Sequence, residues 1–303
     1  MTVKDIYDSA LRLLGEPADN GSDNNLDSVA LTTQMVRRPG LCRLTLLVSD
    51  TAADIAVTST VEDNSLIWRH IDFDPACPSP RKGLEKVVYD NPLLFEDFRD
   101  TAVVFDTRRQ LVVPAEAAGA LPDCDEAAAM LEALYPADDN EPIITAVGGG
   151  AVIAAVPDAE SVRFVKRTFQ TAALTTRLAV LVKWFGVNNL TGSTGRIYAH
   201  LRPDLTDIVA FGPDGLLMAN TFSTPHADDA VYYILAASRS LGYDDTADRL
   251  LLSGDPRRRE AVLPGLRRYI PHAMPAIFPS ALFRTGSDAM RAPLELLALP
   301  LCR

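Results

Sequence analysis

The stretch "IYAHLRPDLTDIVAFGPDGLLMANTF", residues 197–222, constrains the fold more than any other part of the chain. Apolar and polar residues alternate, break at Pro-Asp, alternate again, break at Gly-Pro-Asp-Gly, and alternate a third time. Period-two alternation punctuated by Pro, Asp and Gly is the pattern of a three-stranded antiparallel meander. The plan occurs earlier as well. "CRLTLLVSD" and "DIAVTST" read as two strands meeting near Thr51–Ala53, and "NSLIWRHIDF" reads as a third. Two copies of one plan in 303 residues point to two α/β halves, each large enough to bury a core of its own.

The remaining elements fit between these meanders. "NPLLFEDFRD" suggests a short helix, and "TAVVFDT" and "QLVVPAE" suggest strands meeting at an Arg-Arg turn. "DCDEAAAMLEALY" is expected to be a helix capped by Asp123 or Asp125, "PIITAV-GGG-AVIAAVP" a hairpin, and "DAESVRFVKRTF" a helix opened by Asp158. "LTTRLAVLVKWF" reads as another helix, and "GVNNLTGSTG" as the seam between the halves. Beyond the second meander, Asp228 or Asp229 opens the helix "AVYYILAASRSLG", and "DRLLLSG" is a strand. "DPRRREAVLPGLRRYI" starts with Asp255 as N-cap and Pro256 at the first helical position. The second half thus repeats the three strands, helix and strand of the first. The expected boundaries are an N-terminal extension over 1–40, a first half over 41–190 and a second over 191–303. The extension places Val3, Ile6, Ala10 and Leu13 at helical spacing up to Gly15, followed by an acidic flexible linker. Such a segment is either loose or docks on a partner or on the body of the protein.

Composition narrows the function. The 40 acidic and 29 basic residues give a net charge of −11, which opposes nucleic acid and anionic lipid over most of the surface. Cys42, Cys77, Cys124 and Cys302 form no C-x-x-C and read as reduced thiols, not as a zinc site or disulfide framework. The first residues lack a cationic start followed by an apolar block, and Lys183 breaks "LAVLVKWFGV", so a cytoplasmic protein without a membrane span is expected. His70, His200, His226 and His272 share no metal-ligand spacing. "AVGGGAVIAAV" has no following Lys-Ser/Thr and is not a P-loop, and "GVNNLTGSTG" lacks the spacing of a nucleophile elbow. Of the adjacent Tyr232 and Tyr233, pointing about 100° apart on one helix, one is expected to pack inward and the other to reach an edge or a partner.

The layout resembles the actin-like ATPase superfamily, whose two halves each carry a ribonuclease-H-like fold. "LLFEDFRDTAVVFDTRRQLVVPAEA" and "LMANTFSTPHADDAVYYILAASRSLG", followed by "LLLSGD", make residues 41 to about 271 similar to an uncharacterised bacterial family, domain of unknown function 3822. The order and spacing of Asn220-Thr221-Phe222, Asp229-x-x-Tyr232-Tyr233 and Gly254 carry the likeness. It implies an α/β fold of two ribonuclease-H-like halves with mixed sheets. No activity comes with it; some superfamily relatives in pilus assembly and type II secretion act as scaffolds.

In nucleotide-binding relatives the first meander turn reads Asp-x-Gly-Thr/Ser. Here it is "SDTAAD": Asp50 keeps the acid, while Ala52 and Ala53 replace the glycine and the hydroxyl. The second turn should carry Asp and a glycine run, so that backbone N–H groups can approach a phosphate. "AHLRPDLTD" has His200 for the acid and Leu201-Arg202-Pro203-Asp204 for the glycines, with Pro203 lacking an N–H and Asp204 adding negative charge. Gly254, where relatives seat the adenine, is retained, and it also suits a sharp strand-to-helix turn. Arg257, Arg258 and Arg259 are candidates to meet an anion there, or a solvated face. Asp50 and Gly254 are therefore the candidate residues of a vestigial nucleotide cleft, with phosphate loops degenerate and no metal, cofactor or catalytic residue expected. Three functions compete: a non-catalytic scaffold with a protein partner, a nucleotide-binding enzyme with unorthodox loops, and an anion sensor using the cleft without hydrolysis.

Overall fold

A computed structural model of the protein describes residues 31–32, 35–61, 66–113, 124–136, 139, 141–148, 151–187, 195–244, 248–278 and 291–302. The helical spacing at 3–14, the cap at Asp123 and most of the seam lie outside them; Asp125 is already inside a helix that opens at Cys124 and is not its cap.

The first meander consists of β1 (Cys42–Val48), β2 (Ala52–Ser59) and β3 (Ile67–Asp72). β1 and β2 pair antiparallel from Cys42↔Ser59 to Val48↔Ala53, and β2 and β3 from Ala52↔Asp72 to Val57↔Ile67. β4 (Asp100–Phe105) and β8 (Ala173–Thr176) add in parallel on the far side of β1, giving the order β3-β2-β1-β4-β8. The second meander has β9 (Arg196–Leu201), β10 (Leu205–Gly212) and β11 (Gly215–Ser223). β12 (Arg249–Gly254) and β13 (Met274–Pro275) complete it as β11-β10-β9-β12-β13. The two sheets have one topology, antiparallel on one side and parallel on the other. Strands β1 and β9, near the sheet centres, are buried on both faces and therefore almost wholly apolar, whereas the edge strands β3 and β11 keep exposed polar positions.

Helices fill the space around the sheets. α1 (Pro80–Asp90) and α3 (Ala159–Thr168) cover the outer face of the first sheet, burying Leu84, Val87, Val88, Val162, Phe164 and Val165 against Leu44, Leu46 and Ile55. α5 (Ala227–Ser240) and α6 (Pro256–Arg267) cover the second sheet through Ala230, Ile234, Val262 and Leu266. α4 (Arg177–Val187) and α7 (Leu294–Ala298) lie between the sheets, where Leu178, Leu181, Phe185 and Leu296 pack with Leu47 and Val104 from one and Tyr198, Val209 and Phe211 from the other. Phe185 stacks on Tyr198 at 4.3 Å. A helix buried on two sides explains why α4 is apolar apart from Arg177 and Lys183.

Several details depart from the sequence pattern. β4 and β5 (Gln110–Val113) are joined at Arg108–Arg109 yet do not pair. β5 joins β6 (Ile143–Val147) and β7 (Ala151–Ala155) in a separate three-stranded sheet, order β5-β7-β6, capped by α2 (Cys124–Leu134). A turn signal fixes a reversal but not which neighbour a strand takes. "NPLLFEDFRD" forms only a 3-10 turn, Pro92–Phe95, and the true helix precedes it as α1, with Ser79 as N-cap and Pro80 first. β8 occupies the start of "LTTRLAVLVKWF". The packed body reaches back at least to Leu31, which is fully buried; its N–H donates to the Asn91 side chain and its carbonyl accepts from Leu93.

Candidate functional site

The two meander turns come together around Asp106, which Arg202 of the second turn contacts and whose charge acts on Asp50 of the first. In the first, Ser49 precedes Asp50. The Ser49 hydroxyl accepts from the backbone N–H of Thr51 at 3.3 Å and of Ala52 at 3.0 Å, and donates to the Ala52 carbonyl. The turn's own N–H groups, the donors a phosphate would need, are thus used within the turn. Ala52 is already the first residue of β2, paired with Asp72. Asp50 itself is exposed. Partial burial of its carboxyl, and then the negative charges of Asp158 and Asp106, raise its pKa against the pull of Arg109 and Arg108.

The second turn is closed by Arg202, whose N–H donates to the Leu205 carbonyl. The Arg202 guanidinium turns inward. It holds Asp207 through Nε at 2.9 Å and Nη2 at 3.2 Å, and it reaches Asp106, at the end of β4 in the other half, through Nη1 at 2.7 Å. Arg177, the first residue of α4, donates to the same Asp106 oxygen at 2.8 Å and lies 3.3 Å from Glu295 of α7. A second link between the halves runs from Gln110 Nε2 to Thr221 Oγ1, which in turn donates to Asp207. Three carboxylates and two guanidinium groups gather here: Arg202, Asp207 and Glu295 are buried, the last two each 1% exposed, and Asp106 and Arg177 are half-buried. Burial would lower the Arg177 pKa, but Asp106 and Glu295 outweigh it and hold it above its ordinary value. Burial would raise that of Glu295, but Arg177 and His200 hold it well below the usual carboxylate range. Buried charges persist when paired, and each charge here has an opposite charge within 3.3 Å, although Arg177 Nε, Arg202 Nε, Asp207 Oδ2 and Glu295 Oε1 meet theirs without a hydrogen bond.

His200, at the position of the relatives' acid, lies between Ser253 Oγ at 3.0 Å and Glu295 Oε1 at 3.3 Å. The Ser-His-Glu order resembles a nucleophilic triad, but all three residues are buried, so Ser253 cannot meet a substrate from solvent. Gly254 follows Ser253 with φ +88, and a Cβ there would lie 2.0 Å from the Leu201 carbonyl oxygen. The glycine lets β12 end against β9, where Asp255 N–H also donates to Leu201. Asp50 and Gly254 belong to different sheets and share no hydrogen bond among the described residues.

The residues present do not fit a nucleotide triphosphate with its magnesium. The first turn's N–H groups are engaged, the second offers an arginine already held by two carboxylates, and Pro203 has no N–H. Asp204, expected to repel phosphate, is exposed and takes part only through its carbonyl, which accepts from Thr224; the opposition comes from the buried cluster instead. Arg258 is no anion ligand either, since it donates to the carbonyls of Thr224, Pro225 and His226 and so fastens α6 to the start of α5. Among the described residues no group of His, Cys, Asp and Glu side chains could hold a metal ion. Tyr233 stacks on Phe222 at 4.6 Å while Tyr232 is 66% exposed, the division expected of the pair.

The sequence pattern identified Asp50 and Gly254 but not the charged cluster. A signal was present: Arg177, Asp207 and Glu295 are single charges inside apolar runs, and buried charges imply partners. Which charge meets which was not written there.

Two mixed sheets of one topology, facing each other across shared central helices, make this an actin-like ATPase fold. The likeness is concrete: a Bacteroides thetaiotaomicron protein described as having an actin-like ATPase fold and unknown function matches with a TM-score of 0.72 and 19% identity, over 86% of this chain and 96% of that one. Residues 33–273 match the family described as "Protein of unknown function (DUF3822)", and the chain belongs to that family. More distant likenesses are a chain of the PilM–PilN type IV pilus biogenesis complex (TM-score 0.48, 14% identity, 86% of this chain and 95% of that one) and the activator of the 2-hydroxyisocaproyl-CoA dehydratase from Clostridium difficile with bound ADPNP (0.39, 10%, 86% and 95%). No curated protein matches the sequence. No helix among the described residues is long and apolar enough to cross a membrane.

Proposed function

We propose that this protein is a non-catalytic, cytoplasmic member of the actin-like fold that works by binding another protein, with Asp50 and Gly254 as remnants of a nucleotide cleft. One observation carries the reading: the Arg202 guanidinium, in the turn where a phosphate would be cradled, is buried and held by Asp106 from the opposite half and by Asp207. A phosphate entering there would have to break a buried ion pair, at about 3–5 kcal/mol. That corresponds to roughly two to four powers of ten in affinity. With the halves joined by charge instead of ligand, the fold serves as a rigid body with surfaces for a partner. The cytoplasmic placement is supported by the spacing of Cys42, Cys77, Cys124 and Cys302, which forms no C-x-x-C.

Calorimetric titration of the purified chain with Mg·ATP tests the nucleotide side. No saturable heat is expected up to about 1 mM ligand; a micromolar dissociation constant, abolished by Asp50→Ala, overturns the reading. The partner side is tested by affinity purification from the native cells. A stoichiometric protein partner that survives nucleotide depletion is expected, and recovery of the protein alone overturns it.

A further inference from the structure

We propose that the acidic N-terminal segment, residues 1–30, docks on the surface formed by α1, the Pro92–Phe95 turn and α3. The proposal starts from where the chain enters the body. Leu31 is pinned through its N–H to Asn91 and through its carbonyl to Leu93. Two residues to either side of that clamp stand Tyr89 and Phe95, with ring centroids 5.9 Å apart and stacked, yet 59% and 53% exposed. Tyr89 also meets the buried Phe164 of α3 edge-on, so the pair is held as a platform. Two large rings stacked in water beside the point of entry form an apolar surface that nothing in the described body covers.

The charge around the platform favours the same occupant. In a protein of net charge −11, α1 and α3 together carry six basic and three acidic residues. Arg81 and Lys82 pair with Glu85, Arg163 with Asp139 and Lys166 with Glu141, while the exposed Lys86, one turn before Tyr89 on its own helix face, and the exposed Arg167 of α3 make no ion pair within 4 Å among the described residues. Residues 1–30 carry six acidic and two basic residues, with Val3, Ile6, Ala10 and Leu13 at helical spacing among them. The tether helps. About 16 residues separate that apolar stripe from Leu31, and a flexible link of such length gives a local concentration of order mM, so a contact with a dissociation constant of about 1 mM is populated. The inference is independent of the nucleotide reading.

The test is photo-crosslinking in the full chain, with p-benzoylphenylalanine replacing the exposed Tyr89 and the product mapped by mass spectrometry. The expected result is a crosslink to residues 1–30 whose yield does not change with protein concentration. Lys86→Glu with Arg167→Glu should lower that yield at least fivefold, and Asp5→Lys with Asp8→Lys should restore it. Unchanged thermal melting keeps the comparison valid, since Lys86 and Arg167 are exposed. The same probe at Leu217, exposed on β11, should give no such product. Absence of a crosslink to residues 1–30 from position 89 overturns the proposal. So does a product that is intermolecular and rises with concentration, which would make a second copy the occupant.

Discussion

The two meander turns start from one pattern and are closed in opposite ways. The first turn is closed locally: Ser49, one residue from Asp50, takes up the N–H groups of Thr51 and Ala52. The second is closed globally: Arg202 leaves its own turn and is held by Asp207 in the same sheet and Asp106 in the other. A local closure involves neutral hydrogen bonds of about 1 kcal/mol each. A global one commits buried charge and joins the halves, so the second turn should matter far more to stability.

The largest expected effect is therefore at Arg202. Arg202→Ala leaves Asp106 and Asp207 without their shared cation and should destabilise the protein by about 3–5 kcal/mol, read by urea or guanidinium denaturation. Replacing the pair with apolar residues of similar volume, Arg202→Met with Asp207→Leu, should recover much of that loss. A loss under about 1 kcal/mol for Arg202→Ala would place the pair in the range of exposed ion pairs and end the contrast between the turns. Gly254→Ala comes next. A φ of +88 and a contact of 2.0 Å with the Leu201 carbonyl leave no place for a Cβ, and backbone strain alone costs about 1–3 kcal/mol. The same denaturation curve reports it.

Ser49→Ala should cost only about 1 kcal/mol. It also sharpens the comparison, because it releases the Thr51 and Ala52 N–H groups while Arg202 stays in place. Calorimetry with Mg·ATP should still show no binding; binding gained by this change alone would mean that the first turn, not the second, excludes the nucleotide. The smallest effect concerns His70, at the edge of the first sheet. Its hydrogen bond to Asp54 Oδ1 at 2.9 Å, followed by the nearby charge of Asp54 and of Asp72, lifts its pKa to about 9. A group whose folded pKa is raised stabilises fully below its unfolded value near 6.5, and that contribution is lost as pH rises through about 9. An NMR titration should give that midpoint, and Asp54→Asn should return it toward the ordinary histidine value. The ring is partly exposed, so the gain in stability is small.

The sequence by itself determined the meanders, their turns, the caps at Asp158 and Asp255, and the two-half plan. These follow from contacts within a few residues: alternation sets which face is buried, and Pro, Gly and Asp set where the chain reverses. It also determined that both turns lack the glycines a phosphate needs, which is a property of residue type. Only the tertiary structure decided that β5 leaves β4 for a separate sheet, since strand partners are chosen by surfaces distant in sequence. Only it decided what became of the cleft. Asp106, Arg177, Arg202, Asp207 and Glu295 span 190 positions of the chain, and nothing beside any of them in sequence marks its partner. Their pairing is a long-range electrostatic solution to burial, and no local pattern encodes which carboxylate an arginine will find.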